Sequence, residues 1–304
     1  MTIDESTAAP APAPAPAASR DTGPAGRVLL WVGLGLAALA ALWGALFVVD
    51  LTMTRTETTH ETYSSVGTVE LIADGHVTVV AAEGDIEVDR VARRSLVSPE
   101  FRADERSDRL VLTHECRWWL SWQCSGSFEV TVPADTEVVV RTTNGRIEAT
   151  GLARDLDVAS SNGRVEATGI DGDVVARSSN GDVTVRVAGG EVEATSSNGD
   201  IEVVDAGGVV VARSNNGDVA VRDADGDVEA LTDNGRIEVD GVTGDIRAES
   251  SNGDVTVYGP DEPVALTIST SNGHQVIEGP TDPDASRTVR VMSSNGDVSY
   301  LAGD

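Results

Sequence analysis

Asn180-Gly-Asp-Val-Thr-Val-Arg-Val-Ala-Gly-Gly-Glu-Val-Glu-Ala-Thr-Ser-Ser197 is the stretch on which the fold turns. Asn198-Gly follows it at once. The Asn-Gly pair stands at Asn144, Asn162, Asn180, Asn198, Asn216, Asn234 and Asn252, always 18 residues apart. Halfway between, a weaker copy lacks the Asn, as in Gly172-Asp-Val-Val-Ala176, Gly190-Glu-Val-Glu-Ala194 and Gly244-Asp-Ile-Arg-Ala248. The unit is therefore nine residues, paired into an 18-residue coil, and a fixed period of this kind marks a stacked repeat.

Within one coil, Val183 and Val185 alternate with Asp182 and Thr184, and Val192 and Ala194 alternate with Glu191 and Glu193. Period-two alternation with β-branched residues reads as short strands with one buried face, about five residues of strand and four of corner. Asn-Gly suits the corner, where a positive φ is expected. An antiparallel meander would use each pair as a hairpin turn and leave one apolar face bare. A solenoid instead stacks each strand on its equivalent one coil later, and the small Val and Ala side chains suit a thin core between two sheets. It also files the seven asparagines in one column about 4.8 Å apart, able to bond as an amide ladder. A serine column, Ser160, Ser178, Ser196, Ser214 and Ser250, would stand beside it. The solenoid is the expected fold.

The chain has 304 residues and a formal charge of −28, and its 22 basic residues are all Arg. Residues 1–27 include an alternating Ala-Pro run from Ala9 to Ala17, which favours a disordered, extended arm. Residues 28–49 carry no charge; as a helix of roughly 33 Å they span a bilayer. Arg20 and Arg27 precede this span and only Arg55 follows closely, a bias that puts the N-terminus in the cytoplasm and the large domain outside. Gly33, Ala37, Ala41 and Ala45 form a small-residue stripe suited to a homodimer through the membrane helix. Residues 50–65 read as a stalk. The solenoid is expected over 66–304, irregular over 66–140 with a Cys/Trp loop at 114–126, and regular over 141–304. Tyr300 and Leu301 are expected to plug the final coil.

The early strands from Val66, the strand ending Val130-Thr-Val-Pro133 and the Ser-Asn-Gly-Asp-Val-x-Val coils resemble the DUF4097 family, the Toastrack-type putative adhesins, and the related head domains of autotransporter adhesins. The resemblance covers about residues 66–304. It implies a right-handed, single-chain parallel β-helix, often behind a membrane anchor. The family carries no established catalytic residues, so it transfers no site.

From the residues themselves, three candidates stand out. Asp182, Asp200 and Asp218 follow consecutive Asn-Gly pairs about 5 Å apart in a stack, and such carboxylates either cap their own corners or hold a weak Ca²⁺. The repeat lacks the second and third glycines of a calcium-roll nonapeptide, which favours capping. A polysaccharide-lyase site would need a base beside those acids, yet Arg177 and Arg213 fall in the other half-coil. Cys116 and Cys124, the only cysteines, would pair outside the cytoplasm and pin a loop holding Trp118, Trp119 and Trp122. Those tryptophans either bury as a satellite core or present an aromatic face to a glycan, a partner protein or the membrane surface. Residues 51–304 hold 46 acidic and 20 basic side chains, which argues against nucleic acid as a partner. No cofactor motif is present. The sequence thus points to a non-enzymatic, membrane-anchored binding or adhesion module at the bacterial envelope, meeting cell-wall glycan or an envelope protein. The alternatives are an envelope-stress sensor or scaffold whose residues 1–26 report inside the cell, and a polysaccharide lyase.

Overall fold

A computed structural model of the chain describes residues 24–53, 55–94, 100–115 and 125–303. It forms two compact units, Met1–Val49 and Asp50–Asp304. One helix, α1 (Pro24–Met53), runs beyond the expected span at both ends. Its segment Trp31–Val49 is long and apolar enough to cross a membrane. The arm over residues 1–23 lies outside the described residues.

The second unit is a parallel β-solenoid. Its nine N-terminal strands are β1 (Arg55–Tyr63), β2 (Thr68–Ala73), β3 (Val77–Ala81), β4 (Ile86–Arg94), β5 (Glu100–Arg106), β6 (Arg109–Glu115), β7 (Ser125–Val132), β8 (Glu137–Thr142) and β9 (Ile147–Thr150). From there each 18-residue coil adds one strand to each of two sheets, which reach 13 and 12 strands. Val183–Ala188 stacks in parallel on Val165–Ile170 and Ile201–Ala206, and Val192–Ser196 on Val174–Ser178 and Val210–Ser214. Every regular pair is offset by one coil, so like residues stand over like. Val183, Val185, Ala188, Val192 and Ala194 of one coil are all buried. Each such Val contributes roughly 1.5–3 kcal/mol through area removed from water.

The Asn-Gly corners correct the expectation of positive φ: none of their residues has one. Glycine is needed there for space. A Cβ on Gly181 would lie 2.2 Å from the carbonyl oxygen of Gly163 in the coil before. The left-handed residues form a different file, Gly151, Gly169, Val187, Asp205, Asp223 and Gly241. Gly151 directly follows β9, and each of the others sits one residue before the end of its long strand. The ladder runs Arg186↔Val204 and then Ala188↔Ala206, omitting Val187 and Asp205. The extra residue acts as a bulge that resets the alternation by one, so Ala188 and Ala206 face the core although they are three residues beyond Val185 and Val203. Val187, at φ 57 and exposed, is a β-branched residue in a region that disfavours it. Val187→Asn is expected to raise stability by about 1 kcal/mol, seen as a higher urea midpoint at unchanged slope.

Stacking order departs from chain order at both ends. β2 lies between β6 and β8, and β3 between β7 and β9, so β6 and β7 stand outside β2 and β3 although they come later in the chain, and are covered in turn by β5 and by β4 and β1. At the other end, Thr288–Asn295 inserts between Ile246–Ser250 and Ala265–Asn272, while Val298–Ala302 inserts between Val255–Gly259 and Gln275–Ile277. The expected plug at Tyr300 and Leu301 is therefore corrected. Tyr300 is fully buried inside the penultimate coil, and residues 265–277 close the stack. The stalk is corrected likewise: from Arg55 the Thr-rich stretch is β1, paired antiparallel with β4 over nine residues. Its four β-branched threonines favour extended backbone whether or not a face is buried.

Candidate functional site

The corner after each short strand is held by three side-chain files. Asn162 Nδ2 donates to Asn144 Oδ1 at 2.9 Å, and the same bond recurs along Asn180, Asn198, Asn216, Asn234 and Asn252. Spatial order then carries the ladder through Asn295 to Asn272. Beneath it, Ser178 Oγ donates to Gly163 O at 3.0 Å and accepts from Gly181 N at 2.9 Å. Thr142, Thr232, Ser293 and Thr270 donate to a glycine carbonyl of the neighbouring coil in the same way where the serine file lapses in the sequence.

The third file contains Asp182, Asp200 and Asp218. The amides of Asp200, Asp218 and Arg236 donate to the Oδ1 of the Asp one coil earlier, at 3.2, 2.8 and 2.7 Å. Asp182 also accepts from Arg164 at 2.7 Å. Each of these three carboxylates thus caps the next corner. Among the described residues, no group of three acidic, His or Cys side chains is arranged to hold a metal ion. At the ends of the file His replaces Asp: Arg146 N donates to His76 Nδ1 at 3.0 Å, and His274 N donates to Asp297 Oδ1 at 2.8 Å. The bonds from the His274 amide and ring hold the Asp297 carboxyl below the usual range. A matching acid file serves the opposite corner, where the Glu191 amide bonds Asp173 and the Asp245 amide bonds Asp227.

Through the middle coils the outer faces of the sheets carry charge with a beat of two coils, which breaks at Glu148 opposite Glu166 and at Arg247 opposite Arg290. Opposite one another in successive coils stand Glu166, Thr184, Glu202, Ala220 and Glu238, and on the other sheet Asp157, Val175, Glu193, Val211 and Glu229. The arginines alternate with neutral residues in the same way, Arg177, Thr195 and Arg213 forming one run. In-register stacking would otherwise set like charges about 4.8 Å apart, which is destabilising. Alternation lets each Arg reach diagonally instead: Arg186 to Glu202 at 2.6 Å, Arg222 to Glu238 at 3.1 Å, Arg177 to Glu193 and Arg213 to Glu229 at 2.9 Å. Arg177 and Arg213 stand on this face, in the sheet that does not follow the Asn corner.

At the other end of the stack, β6 and β7 flank residues 116–124. Trp118, Trp119, Trp122, Cys116 and Cys124 lie outside the described residues. The base of that segment is built from residues the sequence reading did not single out. Asp74 Oδ1 lies 3.1 Å from buried His114 Nδ1 and accepts from Gly126 N at 2.8 Å, so one carboxylate ties both flanks. Phe101 packs against His114 and Phe128 with centroids 5.0 and 5.6 Å apart, and Arg90 lies over its ring. Arg90 also pairs with Glu61 at 2.6 Å and donates to Tyr63 Oη, whose own hydroxyl donates to Glu61. The available cue was Asp74-Gly75, which stands where the next Asn-Gly pair belongs.

Burial, then the hydrogen bond to Glu61, pushes the Tyr63 phenol up to about 12, against the pull of Arg90. A raised folded-state value favours the protonated form, so this contribution is whole below the ordinary value of 10 and is lost as pH climbs from there through 12. In an alkaline titration of tyrosinate absorbance, Tyr63→Phe is expected to remove a step near pH 12 and to flatten the fall of stability above pH 10.

Two sheets of in-register parallel strands around a Val/Ala core define a β-solenoid. The family model described as Toastrack DUF4097 matches residues 126–302, and the chain belongs to that family. Among solved structures it is similar to a "putative adhesin" from Parabacteroides distasonis, at 10% identity over 81% of this chain and 97% of that one, with a TM-score of 0.38. A "putative adhesin" from Bacteroides fragilis is similar at 13% identity over 82% and 97%, TM-score 0.33. A "putative cell adhesion protein" from Clostridium sporogenes is similar at 10% identity over 82% and 100%, TM-score 0.28. No curated protein matches the chain in sequence.

Proposed function

We propose that the chain is a non-enzymatic binding module, anchored by α1 with its solenoid outside the cytoplasm, that attaches the cell envelope to a glycan or to an envelope protein. The observation that carries this reading is the way the stack spends its polar side chains. The Asn, Ser/Thr and Asp files bond to neighbouring coils, and the outer Arg and Glu side chains bond to one another. The result is a rigid scaffold that holds exposed side chains at fixed spacings, which lowers the ordering cost of binding. Membership in the Toastrack family and the adhesin names of similar structures point the same way. The aromatic segment Trp118–Trp122 is the surface proposed to make the contact.

The test is a glycan and cell-wall binding screen of the full chain in lipid nanodiscs, repeated with Trp118, Trp119 and Trp122 changed together to Ser. Loss of binding at an unchanged melting temperature supports the reading. Binding that survives the triple change excludes the aromatic segment. Unsaturated products released from acidic glycans, and abolished by Asp200→Ala, would replace the reading by a lyase.

A further inference from the structure

The two ends of the coil stack are finished in opposite ways. At the end nearer β1 the free edges are charged. β5, the edge of one sheet, reads Glu-Phe-Arg-Ala-Asp-Glu-Arg, and β1, the edge of the other, carries Arg55, Glu57 and Glu61. Both are antiparallel to the strands they cover, which interrupts the parallel register of the coils. Charge on an edge strand is how sheets prevent pairing with other chains.

The far end has no such protection. Its edges are Ala265–Asn272, reading Ala-Leu-Thr-Ile-Ser-Thr-Ser-Asn, and Gln275–Ile277. Residues 263–277 form the longest uncharged run in 51–304, in a chain of net charge −28. A neighbouring segment bonds this edge at its start, where Val264 bridges Thr281, donates to Pro280 O and accepts from the Asp282 amide. Thr267 and Ser269 are exposed, Leu266 and Ile268 are half-buried, and Val276 and Ile277 are 38% and 50% exposed. A groove of about 640 Å³ opens between Leu266, Ile268, Ile277 and Pro283.

We infer that this end is an interface for a second copy of the same chain, formed by antiparallel pairing of Ala265–Asn272 with itself across a twofold axis. Charge selects the occupant. Two such acidic chains repel along their sides, where every coil presents carboxylates, and meet with least repulsion along the uncharged strand Ala265–Asn272, with Glu278, Asp282 and Asp284 confined to the segment beside its start and Arg290 lining the groove. Head-to-tail stacking is blocked by the charged β1 and β5 edges, so the contact closes as a dimer and does not propagate as a fibre. An antiparallel pair supplies partners to the bare backbone groups of both strands at once. The interface is separate from the ligand-binding reading, because it involves neither the aromatic segment nor the sheet faces.

The experiment places single full-length chains in separate nanodiscs, so that contacts between membrane helices cannot contribute, and follows disc-to-disc association by sedimentation velocity. Wild-type discs are expected to pair reversibly. A double change, Thr267→Lys and Ser269→Lys, is expected to weaken pairing by at least about tenfold with no change in melting temperature, because charge on both edge strands then faces itself. The same two lysines placed on a sheet face, Thr184→Lys and Thr256→Lys, alter net charge equally and are expected to leave pairing intact. Discs that stay single at all concentrations, or pairing that ignores the edge lysines, would overturn the proposal. Association that appears only when an unrelated extended peptide is added would assign the edge to a different partner and overturn it too.

Discussion

Gly199→Ala is expected to destabilise the solenoid by roughly 3 kcal/mol, far more than the same change at Gly169. The added methyl at 199 would lie 2.2 Å from the Gly181 carbonyl oxygen, 2.4 Å from its carbon and 2.7 Å from the Asp182 nitrogen. All three are backbone atoms of the coil before, held by ladder bonds on either side, so no side chain can swing away. Relief requires neighbouring coils to part, and parting them stretches the Asn198 to Asn180 amide bond and the Asp200 amide bond to Asp182. Gly169 differs in kind. It has φ +66, but a Cβ there meets nothing closer than 3.9 Å. Its cost is the left-handed backbone alone, about 1 kcal/mol, and Val187, Asp205 and Asp223 already tolerate that conformation in the same file. Urea midpoints of the two variants at matched slopes decide the matter. Equal losses would mean that contact between coils is not what fixes glycine at the Asn corners, whose backbone has no positive φ.

This contrast also shows how far the sequence could be read. The coil period, the two strands per coil and the vertical Asn file were legible because parallel stacking writes the same residue at the same interval. The bulge file was hidden, since it tolerates Gly, Val and Asp alike and leaves no repeated letter. The two-coil beat of charge was hidden for another reason. It is a rule about which coil may carry a charge, visible only once Glu202 is known to stand against Thr184 and Ala220. The reordered end coils were illegible because Val289, Val291 and Val298 have the same pattern wherever their coil is placed in the stack. Of the candidate site, the Asp file appeared where its spacing put it, with its oxygens turned to backbone capping. Asp74 and His114 were missed because the long excursion through β4 and β5 separates them in the chain.

Removing residues 286–304 is expected to cost more than removing thirty-six residues from the middle. In a stack that followed chain order, losing the last coil would bare one end face and little more. Here the last coil is internal. Val289, Val291, Val298 and Tyr300 are buried to within 1% of completely, with the coil 265–277 resting on them. At about 1.5–3 kcal/mol each, their loss amounts to roughly 6–12 kcal/mol, comparable to the whole net stability of an ordinary domain. Truncated protein is expected to aggregate or to expose dye-binding apolar surface. Deleting 198–233 instead joins Ser197 to Asn234 and keeps every file in step, and Arg186 then faces Glu238 where Glu202 stood. Its melting temperature is expected to stay close to that of the parent. Deleting only 198–215 preserves the Asn, Ser and Gly files but sets Glu193 against Glu229 and Arg186 against Arg222, about 0.2–1 kcal/mol worse for each pair of like charges. The expected order of melting is therefore parent, thirty-six-residue deletion, eighteen-residue deletion and, well below them, the terminal truncation. A truncated chain that melts near the parent would show that the outer coil slides inward onto Ile246–Ser250 and Val255–Gly259, and that the inserted order is one of two packings open to this end.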